Sequence, residues 1–391
     1  RVQKQVGHED LPPLLLPRLT PLTLPARRSG LPAVRVEQHD DEVVDQDASA
    51  RRRAVVARAE SKQGGSGLAQ RFELSQTVAP AKHMDDLAAA GGVNVLAVIH
   101  ADISGLGRLF QEIGRAADPE QVRAFSRMTA RVMQNAAAES VKPYIGKRTP
   151  EKRMALRPLV LGGDDMGLLC PAPFALDIVT RFLSVLEEHS EGALEDFRHI
   201  PNVRWPQRLH AGAGIAYMHP HHPFDIALTM ADSLSAWAKR EMPKEEVSGV
   251  AFHRILADDA EDFETVVARQ LTVGERRLTL GPYVLEDGHK RPTIAELEAL
   301  VAAARALPRS SWRETVGLVR ESREAASRRM RRIFEVQAGQ GGEALQAALA
   351  ALGGTGDTGH LWTDDGCTPV QDADVLVDLA RKRDQGGEDS R

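Results

Sequence analysis

The chain has 391 residues, 42% of them apolar, enough for two or three domains with sizeable cores. Its formal charge of −5 argues against a protein that coats nucleic acid non-specifically and leaves room for a local basic groove. The two cysteines, Cys170 and Cys367, lie far apart, which argues against a disulfide framework or a cysteine-built zinc site and fits a reducing cytoplasm.

Residues 1–90 form a poorly determined N-terminal segment. They hold a proline-broken "LPPLLLPRLTPLTLP" that does not read as a signal peptide, an acidic "EQHDDEVVDQD", a basic "RRRAVVAR" and a loop at Gly64–Gly67. "PAVRVEQ" predicts a short strand. No stretch is apolar for long enough to span a bilayer. The chain begins with Arg1 rather than Met, as a fragment or a trimmed chain would.

The pattern changes at residue 91. "VNVLAVIHA" reads as a central strand buried on both faces and ends at Asp102. "DISGLGRLFQEIG" is a turn leading into a helix. "DPEQVRAFSRMTARVMQNAAAESV" is a longer helix, with Asp118 as N-cap and Pro119 at its first position. "RPLVLGGDDMGLLC" reads as strand, turn, strand. "PFALDIVTRFLSVLEEHS" is an amphipathic helix with Phe174, Ile178, Phe182 and Val185 on one face. "RLHAGAGIAYM" is a strand of small residues, and "PFDIALTMADSLSAWAKRE" a helix with a stripe of Ile226, Met230, Leu234 and Trp237.

This order predicts an α+β fold, a ferredoxin-like (βαββαβ) palm over 91–256. A mainly helical C-terminal domain follows over 257–391. The strand-like "GVAFHRIL" gives way to it, and it holds two helices, each starting in a capping box: Thr293 to Glu296 and Ser311 to Glu314. "DADVLVDLARK" predicts a short last helix, and the charged "RKRDQGGEDSR" a disordered tail.

In the βαββαβ order the first strand lies beside the central hairpin, so Asp102 meets Asp164 and Asp165 at one edge of the sheet. Carboxylates are hard ligands suited to Mg²⁺ or Mn²⁺, and Mg²⁺ shares them with water and substrate phosphates. Two ions about 3.5–4 Å apart activate a hydroxyl nucleophile and stabilise a leaving pyrophosphate. Gly162 and Gly163 let a phosphate approach the backbone closely. A GGDD alone is also ordinary turn chemistry; an acid ending the first strand as well points to phosphoryl transfer. "HPHHP" (219–223) reads as an exposed turn, and "GAGIA" (212–216), lying inside a strand, as room for close helix packing or for access of a base. "SRRMRRIFE" (327–335) is a basic helical face.

The stretches "LAVIHADISGLGRLF", "LVLGGDDMGLL", "LHAGAGIAYMHPHHPFDIALTMADSLSAWAKRE" and, more loosely, "LTLGPYVL" resemble the polymerase-like large subunit of type III CRISPR effector complexes, in its second, cyclase-bearing palm. The resemblance covers about 93–285 and extends more weakly through the helical region to about Phe334. It implies that Asp102, Asp164 and Asp165 hold the metal, Asp164 and Asp165 being catalytic. It implies that Gly162, Gly163 and Lys239, with Arg240, bind the nucleotide. It further implies conversion of ATP to cyclic oligoadenylate, or to a cyclic dinucleotide, in antiviral defence in the cytoplasm, with partner subunits and target RNA and no membrane. The alternatives are a non-catalytic nucleotide-binding scaffold subunit and a diguanylate cyclase-like enzyme using GTP. The signature of the latter has Glu and Phe where this chain has Asp165 and Met166. The HD nuclease, the first palm and the inter-palm cysteines of the family are not visible. The chain then reads as the C-terminal half of a larger subunit, or as a reduced stand-alone relative whose homodimer supplies the second palm.

Overall fold

The computed structural model describes residues 35–36, 43–44, 46, 67–74, 81, 83–242, 247–256, 262–286, 291–338 and 341–388. The chain divides into two compact units, Arg1–Gly67 and Leu68–Arg391. In the first, Arg35–Val36 pairs antiparallel with Val43–Val44, which places a strand inside "PAVRVEQ". The Pro/Leu stretch, the basic run and most of the glycine-rich loop lie outside the described residues.

The second unit runs β1 (Leu96–Ile103), α1 (Leu106–Ala116), α2 (Pro119–Val141), β2 (Arg157–Gly162), β3 (Asp165–Pro171), α3 (Ala175–Glu195), β4 (Ala211–Met218), α4 (Phe224–Glu241) and β5 (Gly249–Arg254). It continues with α5 (Phe263–Arg269), β6 (Tyr283–Val284), α6 (Ile294–Ala306), α7 (Arg309–Glu321), α8 (Arg323–Val336), α9 (Gly342–Ala351) and α10 (Val370–Glu388). The main sheet has the order β6-β5-β4-β1-β3-β2. Four of its strands, β4-β1-β3-β2, are antiparallel neighbours in the ferredoxin-like arrangement, with β2 at the edge of the sheet. β5 joins parallel to β4 after the α4 crossover.

Local chemistry accounts for the elements. β1 is central, and Leu96 to Ile99 are completely buried, so its run of apolar residues needs no alternation. Asp118 accepts from the N–H groups of Glu120 (2.8 Å) and Gln121 (2.9 Å), and Gln121 Oε1 accepts from Asp118 N–H (3.1 Å). That reciprocal box stabilises the start of α2 by about 1 kcal/mol. α4 covers the sheet face that carries His100, Asp102, Gly212 and Gly214. Its close approach needs the glycines: a Cβ on Gly214 would come 2.1 Å from Ala231 O, and one on Gly212 would come 2.4 Å from Lys239 Cγ. The small residues of "GAGIA" thus admit a helix, as the sequence predicts.

Two C-terminal expectations change. Thr293 does form a capping box with Glu296. Ser311 does not cap, because α7 has already begun at Arg309, directly after Pro308, which has no N–H to lose. Ser322, at φ −148°, breaks the predicted single helix in two and caps α8 through Ala325 N–H at 3.2 Å. The last helix, α10, runs on to Glu388, through most of the stretch whose composition predicts a disordered tail. No helix among the described residues is long and apolar enough to cross a membrane.

Candidate metal and nucleotide site

The end of β1 and the tip of the β2–β3 hairpin build the site. Asp102 is the register partner of Asp165 across β1 and β3, and Gly162 is the partner of Asp165 across β2 and β3. Only Gly163 and Asp164 remain to turn the chain. Gly163 has φ +63°, which favours glycine, and open space surrounds its position. Ile103 N–H donates to Asp164 O at 3.3 Å, tying the hairpin tip to β1. Carboxylate oxygens of Asp102, Asp164 and Asp165 therefore lie within 4.8 Å of one another, each residue half-buried.

The electrostatics of this cluster are unbalanced. Burial, and then the neighbouring Asp164 charge, push the Asp165 carboxyl above the usual range, while His100 opposes them. Asp102 Oδ2 accepts from Lys239 Nζ, delivered by the last turn of α4. Asp102 Oδ1 is buried with no hydrogen-bond partner. A buried, unpartnered carboxylate oxygen is costly unless something electropositive completes it. Three hard oxygen donors, mutually repelling and with one oxygen left over, fit a divalent cation of the Mg²⁺ or Mn²⁺ kind. Burial lowers the Lys239 pKa.

The other residues singled out in the sequence divide. Gly162 sits at the cluster, and a Cβ there would meet nothing nearer than Arg71 Nη1 at 3.7 Å. Lys239 is brought to the carboxylates. Arg240 turns away and pairs with Glu264 on α5 at 3.1 Å. The histidines of "HPHHP" form a turn: His219 Nε2 meets Asn94 Nδ2 at 2.9 Å, and His221 Nε2 meets Asp85 Oδ1 at 3.2 Å.

Several residues at the site escape a reading based on acids alone. His100, two residues before Asp102 on the same face of β1, stands 3.2 Å from Asp232 Oδ1 through Nδ1 and 3.6 Å from Asp165 Oδ1 through Nε2. The alternation of β1 carries this signal, since His100 and Asp102 are the strand's two partly exposed positions. Asp232 and Lys239 are seven residues apart on α4, two turns along one face. Arg71 Nη1 donates to Leu161 O at 2.7 Å, bracing β2 beside Gly162. A recess at the start of α1 is lined by Ser104, two residues after Asp102 in the chain, and by Arg108, Arg204 and Arg208.

Comparison with known proteins follows the same outline. Residues 95–248 match the family model for the Cas10/Cmr2 second palm domain. Similar solved structures include Csm1 from T. onnurineus, at 13% identity and a TM-score of 0.43, covering 78% of this chain and 40% of that one. A Csm1–Csm4 cassette in complex with pppApApA shows 16% identity and a TM-score of 0.32 over 57% of this chain and 30% of that one. The active GGEEF domain of a diguanylate cyclase from Vibrio cholerae shows 15% identity and a TM-score of 0.21, over 42% of this chain and 91% of that one. The chain thus spans less than half of either Csm1 chain. Comparison with curated proteins returns no match. The palm match supports a nucleotide cyclase type of function and names neither substrate nor product. Residues 95–248 are thus similar to the second palm domain of the Cas10/Cmr2 family.

Proposed function

We propose that the carboxylate cluster is the metal site of a nucleotide cyclase that converts ATP to cyclic oligoadenylate within a type III CRISPR effector. The observation that carries this reading is the meeting of Asp102, Asp164 and Asp165 at one point, with Asp102 Oδ1 buried and unpartnered. Asp102, Asp164 and Asp165 would hold Mg²⁺ or Mn²⁺, which supplies Lewis-acid stabilisation of phosphate charge when bound. The reaction is in-line attack of a ribose 3′-hydroxyl on an α-phosphate, with pyrophosphate leaving. Gly162 and Gly163 keep the hairpin tip free of side chains so that the nucleotide reaches the backbone. Lys239 provides a fixed positive charge between Asp102 and the phosphates. Arg108 and Arg204, at the neighbouring recess, add positive charge for the phosphate tail. Partner subunits, target RNA or a second palm from another copy complete the reading.

The test offers each labelled nucleoside triphosphate to the purified chain with Mg²⁺ or Mn²⁺, with and without target RNA, and separates the products by mass. Cyclic adenylates from ATP, abolished in Asp164→Ala/Asp165→Ala, are expected. The wild type should also gain melting temperature with added Mn²⁺, and the double variant should not. Consumption of GTP instead would replace the substrate, and no product under any condition would leave a binding subunit. Undiminished turnover in the double variant would remove the site assignment.

A further inference from the structure

Four arginines meet where α6, α7 and α10 come together, away from the palm's acids. Arg305 lies in the last turn of α6, Arg309 and Arg313 in the first turns of α7, and Arg381 on α10. Arg381 donates through Nη2 to the carbonyls of Ala304 (3.0 Å) and Leu307 (2.9 Å), where α6 ends. Its guanidinium is thereby fixed beside the other three, which are exposed. Burial, and then the charge of Arg309, lower the Arg381 pKa, with Arg305 and Arg313 acting the same way and Asp374 against. Asp374 is already engaged by Trp312 Nε1 at 2.9 Å.

The arrangement is unfavourable in two ways. Like charges gather, and two of them occupy the positive end of α7. The first turn of that helix has no acidic residue, and Pro308 offers no side-chain cap. A helix start of this kind favours an anion, and the fold supplies cations. The chemistry of the cluster says which anion. All four side chains are arginines, whose planar fork matches phosphate oxygens two at a time. The basic face of "SRRMRRIFE" runs alongside: Arg329 of α8 pairs with Glu314 of α7 at 2.7 Å, while Arg328 and Arg331 are exposed. Trp312, the aromatic residue of α7, is buried, so the helix presents no ring for stacking on bases. Such a surface contacts phosphates rather than reading sequence. We infer that this arginine junction binds the phosphate backbone of a nucleic-acid strand.

Fluorescence anisotropy with labelled oligouridylate and oligothymidylate of about 20 nucleotides, over a range of salt, tests it. Arg309→Ala/Arg313→Ala should bind at least tenfold more weakly. Its salt slope should be shallower by about 1.4, at about 0.7 per lost single-strand contact. Arg309→Lys/Arg313→Lys should keep the slope and recover part of the affinity. Preference for the uridylate identifies RNA as the source of the backbone, and preference for the thymidylate identifies DNA. Asp164→Ala/Asp165→Ala should bind like the wild type, which separates this inference from the cyclase reading. Wild-type affinity in the double alanine variant, no binding of either strand at low salt, or equal displacement by polyglutamate would overturn it.

Discussion

The buried Glu187 and the half-buried carboxylate cluster stand at the same end of the sheet and are treated oppositely. Glu187, on α3, is buried, with His210 Nδ1 at 2.9 Å, Ser248 N–H at 3.1 Å and Arg208 Nη1 at 3.3 Å. Burial alone would raise its pKa, but the hydrogen bonds from His210 and Ser248 outweigh burial and lower it. Ser190 and Ser248 extend the network by accepting from Leu209 N–H (2.8 Å) and Ala211 N–H (3.0 Å), fixing the entry to β4. Asp165 has no such set of donors, and burial with its neighbour Asp164 moves it the other way. One acid is satisfied by the chain itself. The others are drawn together with only Lys239 and His100 to offset their charge and with Asp102 Oδ1 left unpartnered, which leaves room for a cation from outside.

Removing the paired acids separates the two roles most sharply. Asp164→Ala/Asp165→Ala should take product formation to background while leaving the melting temperature equal or higher, because like charges are relieved. A large fall in melting temperature would mean that these acids hold the fold rather than the chemistry. Glu187→Ala should do the reverse. It leaves His210 and Arg208 without their buried partner, a loss of about 3–5 kcal/mol in urea unfolding. The sign with pH follows from its lowered pKa. The contribution is present above the ordinary glutamate range and is lost as pH falls through the lower, folded value. The acid limb of the wild-type stability curve should therefore be steeper than that of Glu187→Gln.

Gly214→Ala tests the link between packing and site. Its methyl would run into the Ala231 carbonyl, a backbone atom 2.1 Å away, so α4 has to move. Overpacking of this kind costs about 1–3 kcal/mol. Because α4 carries Asp232 and Lys239, activity should fall further than stability accounts for. Equal activity per folded molecule would show that the position of Lys239 does not matter.

Much of this was legible in the sequence because the signals are local. The apolar run of β1 ending in Asp102, the Gly163 turn and the Asp118 cap each depend on neighbours in the chain. The palm order followed from them, and with it the meeting of three acids. What was not legible depends on contacts across the fold. His100 is an ordinary strand histidine until α4 brings Asp232 to it. The Glu187 network joins residues on α3 and before β4 and β5. The break at Ser322 was hidden because 311–334 keeps helical periodicity through it. The arginine junction was not legible as a cluster, because its four members come from three helices; only the neighbouring basic face on α8 stood out.

Gly162 offers the smallest perturbation and the finest test of the comparison. Gly163 needs its freedom for the turn, since its φ is +63°. Gly162 does not. It is ordinary strand backbone, and a methyl there would meet only Arg71 Nη1, at an ordinary 3.7 Å. Gly162→Ala should therefore leave the unfolding free energy within about 0.5 kcal/mol of the wild type, as for a tolerated surface change. If the hairpin tip is where a nucleotide lies against the backbone, the same methyl should raise KM several-fold at unchanged stability. Unaltered KM would mean that the nucleotide does not lie against Gly162, and that it lies on the Lys239 side of the carboxylates.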